Sequence, residues 1–220
     1  MANGLVKSLQ KAVNIIDLLE KNGEMGVTEI SKKFEISKSS VYNILNTLAN
    51  NRWVEKNKST DKYKLGLRLF ELGEQVREGF KLREVAIPYM KKLVDQVQET
   101  VHLTVMDDGM VVYMESAQPN KKLSIVSLQD RRVHMHCTGV GKAILAFLPE
   151  EVIDQIIEEK GLPRFTPNTI TDPQDLKEHL QKVRERGFAV DDIEHEPGIR
   201  CVASPIRDER GEVIASMSLT

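Results

Sequence analysis

Residues 27–48, VTEISKKFEISKSSVYNILNTL, carry the densest signal in the chain. Thr28 starts a short helix with Glu29 in its first turn and Ile30 and Phe34 on its apolar side. That helix ends at Glu35-Ile36, and Ser37 is placed to cap a third helix striped by Val41, Ile44, Leu45 and Leu48. A link of only about three residues forces the two helices to meet at a sharp angle, a helix-turn-helix. Upstream, Ser8 can cap a first helix with Leu9, Ala12, Val13, Ile16 and Leu19 at helical spacing, stopping near Asn22-Gly23. Downstream, Trp53–Lys56 and Tyr63–Leu65 alternate around the polar run Asn57–Asp61, which predicts a hairpin. Three helices and a hairpin make residues 1–66 a winged helix-turn-helix domain.

The polar groups of that domain suit a polyanion. Lys38, Ser39, Ser40, Tyr42 and Asn43 lie in the first turns of the third helix, off its apolar stripe. These turns face base edges when such a motif sits in the major groove. Ser39, Ser40 and Asn43 can bond bases or phosphates, and Lys38 suits phosphate or guanine. Thr28 stands at a helix start, whose free N–H groups favour a backbone phosphate. Lys56, Lys58 and Lys62 on the wing add affinity through counterion release. Charge is distributed accordingly. The net charge is -2, yet residues 1–66 hold 11 of the 31 Lys+Arg and 7 of the 33 Asp+Glu, leaving 20 and 26 for the remainder. A basic first third on an acidic body fits one part that meets DNA and another that does not.

The whole chain has 220 residues, 40% apolar and 29% charged, enough for two small domains with buried cores. No apolar run approaches the roughly 18 residues of a membrane span, and the N-terminus lacks the apolar core of a secretory signal. Two cysteines, Cys137 and Cys201, make no disulfide framework, so a cytoplasmic setting is expected. Residues 67–100 continue a helical apolar period from Leu67 and Phe70 to Val94 and Val97, with Gly79 or Pro88 as the break. They read as linker helices carrying a dimer contact, with plain domain core as the alternative. Residues 101–220 read as a mixed α/β domain. Val101–Met106 and Met110–Glu115 flank the turn Asp107-Asp108-Gly109. Leu123–Leu128 is a further strand, and Gly139–Phe147, Pro149–Lys160 and the segment from Asp172-Pro173 to Gly187 are helices. Phe188–Asp191, Ile199–Ile206 and Val213–Leu219 close an antiparallel sheet. The fold class is α+β.

The chain resembles the IclR family of bacterial transcriptional regulators over essentially its whole length. The resemblance rests on Lys7–Leu19, the winged helix ending in Tyr63-Lys64-Leu65-Gly66, Glu99–Leu103, His136–Ala143, Phe165–Ile170, Arg186–Asp191 and Gly198–Ile206, in that order and spacing. It implies a GAF-like effector domain, dimers or tetramers on palindromic operators in double-stranded DNA, and a small organic acid as signal. It further implies an effector site in which Gly139 and Val140 offer backbone N–H groups at a helix start, a placement that suits a carboxylate. Asp191, Cys201, Ser216 and Ser218 match the other polar contacts of that site, and Ile125 and Val133 its apolar wall. Thr138 replaces a usual Ser and Val140 a smaller residue, which reshapes the pocket. Repression in carbon-source catabolism is the expected role, with sugar acids as a family theme. The family also continues beyond the last strand with a glycine turn and a helix, so a truncated C-terminus is expected here.

Enzyme and metal readings follow the same residues less well. Gly141-Lys142 lacks the upstream glycine of a P-loop and Ala143 follows it, and there is no GxSxG elbow. No cofactor is expected. His134-Met135-His136-Cys137 with His195 and Cys201 is the one candidate zinc cluster. On a strand its neighbours would point to opposite faces. A zinc-responsive regulator and a protein-binding adaptor are the alternatives to a DNA-binding, acid-responsive regulator.

Overall fold

A computed structural model describes residues 4–78, 81–119 and 132–220. The strand expected at 123–128, the pocket residue Ile125 and the break expected at Gly79 lie outside the described residues. The chain folds as two compact units, residues 1–79 and 80–220, so the division falls inside the segment read as a linker.

The first unit contains α1 (Lys7–Asn22), α2 (Val27–Phe34), α3 (Lys38–Asn50), the antiparallel pair β1 (Val54–Lys56) and β2 (Tyr63–Leu65), and α4 (Leu67–Glu78). The Ser37 hydroxyl caps α3 by accepting the Ser40 N–H at 3.2 Å, as its position predicts. Between α2 and α3 the chain turns through Glu35 at φ 54°, the left-handed stop that makes the angle sharp. Ile15, Leu18, Leu19, Ile30, Val41, Leu45, Val54 and Tyr63 form its core. Met25 and Tyr63 exchange backbone hydrogen bonds of 2.8 and 2.9 Å, pinning the start of α2 to the wing. Two expectations for α1 are corrected. Its N-cap is Val6, with Ser8 inside the helix and no side-chain cap. Leu19 is buried as expected, but its buried companions are Ile15 and Leu18, while Leu9 and Val13 are exposed, so α1 is apolar on a second side as well.

In the second unit α5 (Lys81–Val97) leads into a six-stranded antiparallel sheet of order β5-β4-β3-β8-β7-β6. The strands are β3 (Val101–Asp107), β4 (Met110–Ala117), β5 (Arg132–His134), β6 (Ala189–Asp192), β7 (Arg200–Arg207) and β8 (Val213–Leu219). Three helices, α6 (Gly139–Leu145), α7 (Glu150–Lys160) and α8 (Pro173–Arg186), lie between β5 and β6 in sequence. Asp108 and Gly109, at φ 50° and 68°, form the two-residue turn expected between β3 and β4. Asp172 caps α8 through the Gln174 and Asp175 N–H groups, with Pro173 first in the helix and Gly187 left-handed at its end. Pro88 lies inside α5 rather than breaking it. That helix buries Ala86, Met90 and Val94 against Val101, Leu103, Ala117 and Ala215. Arg83 clamps it to β4 with 2.5 and 2.6 Å contacts to the Glu115 carboxylate.

Helix α6 is the unit's centre, and every one of its seven residues is buried. It enters so closely that a Cβ on Gly141 would stand 2.3 Å from the Met135 carbonyl oxygen and 2.4 Å from the Met135 Cα. Only a residue without a side chain fits there. We expect Gly141→Ala to destabilise the second unit by about 1–3 kcal/mol, because backbone must move. Gly73→Ala in α4, where a Cβ meets nothing within 4 Å, is expected to stabilise the first unit by about 0.5–1 kcal/mol. Thermal melts of the two variants with domain-resolved probes check both signs.

Burial also holds three histidines of this unit neutral. Desolvation pushes His102, His136 and His179 down to about 4. Their unfolded values lie near 6.5, so between about pH 6.5 and 4 the unfolded chain binds more protons. Stability from these groups is therefore full above pH 6.5 and lost as pH falls towards 4. Asp191, raised by burial, opposes part of the effect. Urea melts from pH 7 to 4.5 are expected to show a falling midpoint, with His102→Gln flattening the slope; a midpoint constant over that range contradicts the assignment.

Candidate functional site

On the first unit the polar residues singled out from sequence gather on one surface. Lys38, Ser39, Tyr42 and Asn43 are exposed on α3, and Ser40 is partly exposed. Lys38 and Ser39 occupy the first turn, beside the Ser37 cap, whose hydroxyl lies 3.1 Å from that of Ser39. A groove of about 390 Å³ runs between the start of α2, the α3 face and the wing, and Thr28, Tyr42, Lys56 and Lys62 all border it. Thr28 is the second rather than the first residue of α2, after Val27. Lys58 stands exposed at the wing tip. The tip itself is built by Asn57, whose Oδ1 accepts the Ser59 N–H and hydroxyl while its amide donates to both Glu24 carboxylate oxygens.

Two carboxylates share that groove, and sequence reading missed them. Glu29 accepts the Gly26 N–H at 2.6 Å and the Lys62 ammonium at 3.1 Å. The Gly26 N–H first, and Lys62 second, hold its carboxyl below the usual range. Asp61 pairs with Lys56 at 2.7 Å, and that bond lowers its carboxyl likewise. The signal was present as Glu29 opposite a lysine-rich hairpin, but its cross-element pairing is a tertiary fact.

In the second unit a cavity of about 220 Å³ opens against the start of α6. Four residues expected at an effector site line it: Val133, Val140, Asp191 and Cys201. Gly139 adjoins it, since a Cβ there would stand 2.6 Å from the Cys201 Sγ. Thr138 caps α6, its hydroxyl accepting the Gly141 N–H at 3.1 Å and donating to the His134 carbonyl at 3.2 Å. The Lys142 N–H starts the helical ladder by bonding the Thr138 carbonyl at 2.9 Å. Three helix-start amides stand outside that ladder: Gly141, taken by the Thr138 hydroxyl, and Gly139 and Val140.

Ser216 and Ser218 are fully buried on β8 and are not among the described cavity-lining residues. The Ser216 hydroxyl donates to the Val140 carbonyl at 3.0 Å and lies 2.8 Å from the Thr104 hydroxyl. It holds the start of α6 against the sheet. Lining residues not singled out from sequence include His102, Tyr113, Glu196, Ile199 and Thr220, and His195, read there as a zinc candidate, lines the cavity too. His102 and Tyr113 project from paired strands, and their rings meet edge to face at 5.2 Å. Once β3 and β4 are paired, their positions can be read from the alternation of strand faces.

Burial sets the chemistry of this cavity. It pushes the Tyr113 hydroxyl up to about 12 and raises the Asp191 carboxyl and the Cys201 thiol. His102 is neutral, with Nδ1 2.5 Å from the Ser116 hydroxyl. Among the described lining residues there is no lysine or arginine. Asp191 accepts the Glu194 N–H at 2.7 Å, and the Glu194 carboxylate pairs with the wholly buried Lys142 of α6. The cavity thus combines aromatic and apolar walls with hydroxyl and thiol groups, the buried Asp191 carboxyl and, towards solvent, Glu196.

The candidate zinc cluster is not assembled. Only His134 of the His134–Cys137 run is in a strand, and the run then turns towards α6. His134, His136 and His195 surround the Phe165 ring at 5.6, 6.3 and 5.1 Å between centroids. His136 Nε2 lies 3.1 Å from the Pro163 carbonyl. Among the described residues no three metal-ligating side chains converge. Nor, among them, is any helix long and apolar enough to cross a membrane.

Known proteins match both units. Residues 8–58 match the IclR helix-turn-helix domain, and residues 75–220 match the family described as bacterial transcriptional regulator IclR C-terminal. The chain is 33% identical over 217 residues to the HTH-type transcriptional regulator XynR of Escherichia coli K12, covering 98% of this chain and 86% of that protein. With the regulator KdgR of Dickeya chrysanthemi it shares 34% over 215 residues, covering 98% and 70%. The Thermotoga maritima IclR crystal structure superposes with a TM-score of 0.74 at 36% identity, covering 97% of this chain and 86% of that one. An IclR homolog from Microbacterium hydrocarbonoxydans, solved with 4-hydroxybenzoate, gives 0.80 at 25% identity, covering 96% and 87%. A winged helix joined to an α+β unit, matched along both parts, places this chain in the IclR family of DNA-binding transcriptional regulators, which are not enzymes.

Proposed function

We propose that this regulator is a repressor whose operator affinity is set by a small organic or keto acid, in the control of carbon-source catabolism. The observation that carries the reading is the 220 Å³ cavity at the start of α6. Its volume lies below the range of drug-sized pockets, which favours a small ligand. The Gly139 and Val140 amides take the carboxylate, a role that helix-start N–H groups perform without a cation. Asp191, Cys201 and Tyr113 face the rest of the molecule, and Val133 packs its apolar side. A relative solved with 4-hydroxybenzoate, a small carboxylate, supports this class of ligand. Zinc sensing has no supporting observation.

Thr28, Lys38, Ser39, Ser40, Tyr42, Asn43, Lys56, Lys58 and Lys62 meet the DNA in this reading. The α3 residues read the major groove and the wing holds phosphates. Two copies bind a palindromic operator, with the exposed apolar side chains Leu9, Val13, Leu67 and Phe70 as the material for their contact. Differential ligand affinity for two arrangements of the copies then changes DNA affinity.

Thermal-shift measurement against small keto, hydroxy and aromatic acids tests the ligand. A ligand at a hundred times its Kd is expected to stabilise the protein by about 2.7 kcal/mol. Val133→Phe, which fills the cavity wall, is expected to abolish that rise while keeping the circular-dichroism spectrum. On the DNA side, Lys58→Ala is expected to lower the salt slope of duplex binding by about 1 for each copy bound. Asn43→Ala is expected to relax sequence preference with little change in that slope. An unaltered slope for Lys58→Ala contradicts the wing assignment.

A further inference from the structure

We infer that Glu29 and Asp61 hold down the affinity of the winged helix for DNA of any sequence, by keeping two wing lysines in internal ion pairs. The inference rests on the proposed reading that the groove between α2, α3 and the wing faces the duplex. That reading gives the wing three lysines for phosphate binding, and two of them already have anionic partners. Lys62 Nζ lies 3.1 Å from Glu29 Oε1, and Lys56 Nζ lies 2.7 Å from Asp61 Oδ1. Both pairs border the same groove as Thr28 and the half-exposed Tyr42 ring.

Each carboxylate is fixed by more than its lysine. Glu29 reaches back three residues to accept the Gly26 N–H at 2.6 Å, so it occupies an amide of the very helix start that would cradle a phosphate. Asp61 sits in the left-handed region at φ 57°, and its N–H donates to the Asn57 carbonyl at 2.9 Å, closing the wing-tip turn. An arriving phosphate therefore meets a locally neutral pair instead of a free ammonium. It must displace a carboxylate or sit beside one.

Non-specific binding is built from phosphate contacts alone, so it bears this penalty in full. Base contacts from Ser39, Ser40 and Asn43 are left untouched. The specific complex uses the same phosphate contacts and bears the same penalty, so the pairs lower affinity for any duplex and leave the ratio set by base contacts unchanged. Lys58, at the tip, is the wing lysine expected to act at full strength.

The test is binding of the full chain to a mixed-sequence duplex of about 20 base pairs across a salt series, with Glu29→Gln/Asp61→Asn as the variant. Glutamine keeps an oxygen for the Gly26 N–H, and asparagine tolerates the left-handed backbone, so the fold is preserved. Freeing two lysines is expected to tighten binding about three- to tenfold at 0.1 M salt and to steepen the log–log salt slope by about 1–2. Unchanged affinity and slope overturn the inference. A second variant, Lys56→Met/Lys62→Met, separates the inference from the reading beneath it. If it weakens binding or flattens the slope while the acid variant does nothing, the lysines meet DNA and the carboxylates are not a brake. If neither variant alters binding, the groove does not face DNA and both readings fail.

Discussion

The second unit depends on one steric constraint: α6 must pass against the Met135 backbone at a distance that excludes a side chain at residue 141. That approach lets a fully buried helix begin at the cavity, with its first amides turned away from the helical ladder. Other bonds converge on the same few residues. Thr138 caps the helix, Ser216 binds the Val140 carbonyl, and Lys142 pairs with Glu194. Glu194 in turn donates its N–H to Asp191, which lines the cavity, and precedes the lining residues His195 and Glu196. A buried charge pair of this kind is costly to break, because either partner alone would be left unpaired in the interior. The cavity's wall and its anchoring are therefore one construction, held from the helix side and the strand side together.

The first unit manages charge in the opposite way. Two of its exposed ion pairs, Lys56–Asp61 and Lys62–Glu29, lie on the surface proposed to meet DNA. Buried pairing fixes geometry in the second unit; exposed pairing on the wing, in the inference above, tunes how strongly a polyanion is held. Both uses come from lysine and a carboxylate, and burial alone decides which one results.

Much of this architecture is legible in the amino-acid sequence because its signals are local. The Ser37 cap, the Asp108-Gly109 turn, the Asp172-Pro173 helix start and the Gly187 stop each act within four residues, and each stands where expected. Errors fall where two apolar faces compete. On α1 the predicted stripe holds at Leu19 and, in part, at Ile16, but Leu9 and Val13 are exposed while Ile15 and Leu18 are buried. Periodicity marks an apolar face but not which partner covers it. The segment expected to divide into two helices at Gly79 or Pro88 does form two, α4 and α5, and Pro88 is not the break, since α5 continues through it against the sheet.

At the site, the resemblance supplies Gly139, Val140, Asp191, Cys201 and Val133, and all five lie at the cavity. Ser216 supports the helix start instead of lining the cavity, a distinction that depends on its bond to Val140. His102, Tyr113 and the Glu29–Lys62 pair escape a sequence reading because their neighbours come from distant segments. What makes the protein a sensor, in this reading, is a small carboxylate seated on the first amides of α6. Proton–nitrogen correlation spectra of the full chain, titrated with whichever acid raises the melting temperature most, report on those amides one by one. Saturable shifts of the Gly139 and Val140 amides are expected, with Asp191 and Cys201 following at the same midpoint. Saturable shifts that leave Gly139 and Val140 unmoved would contradict this seating.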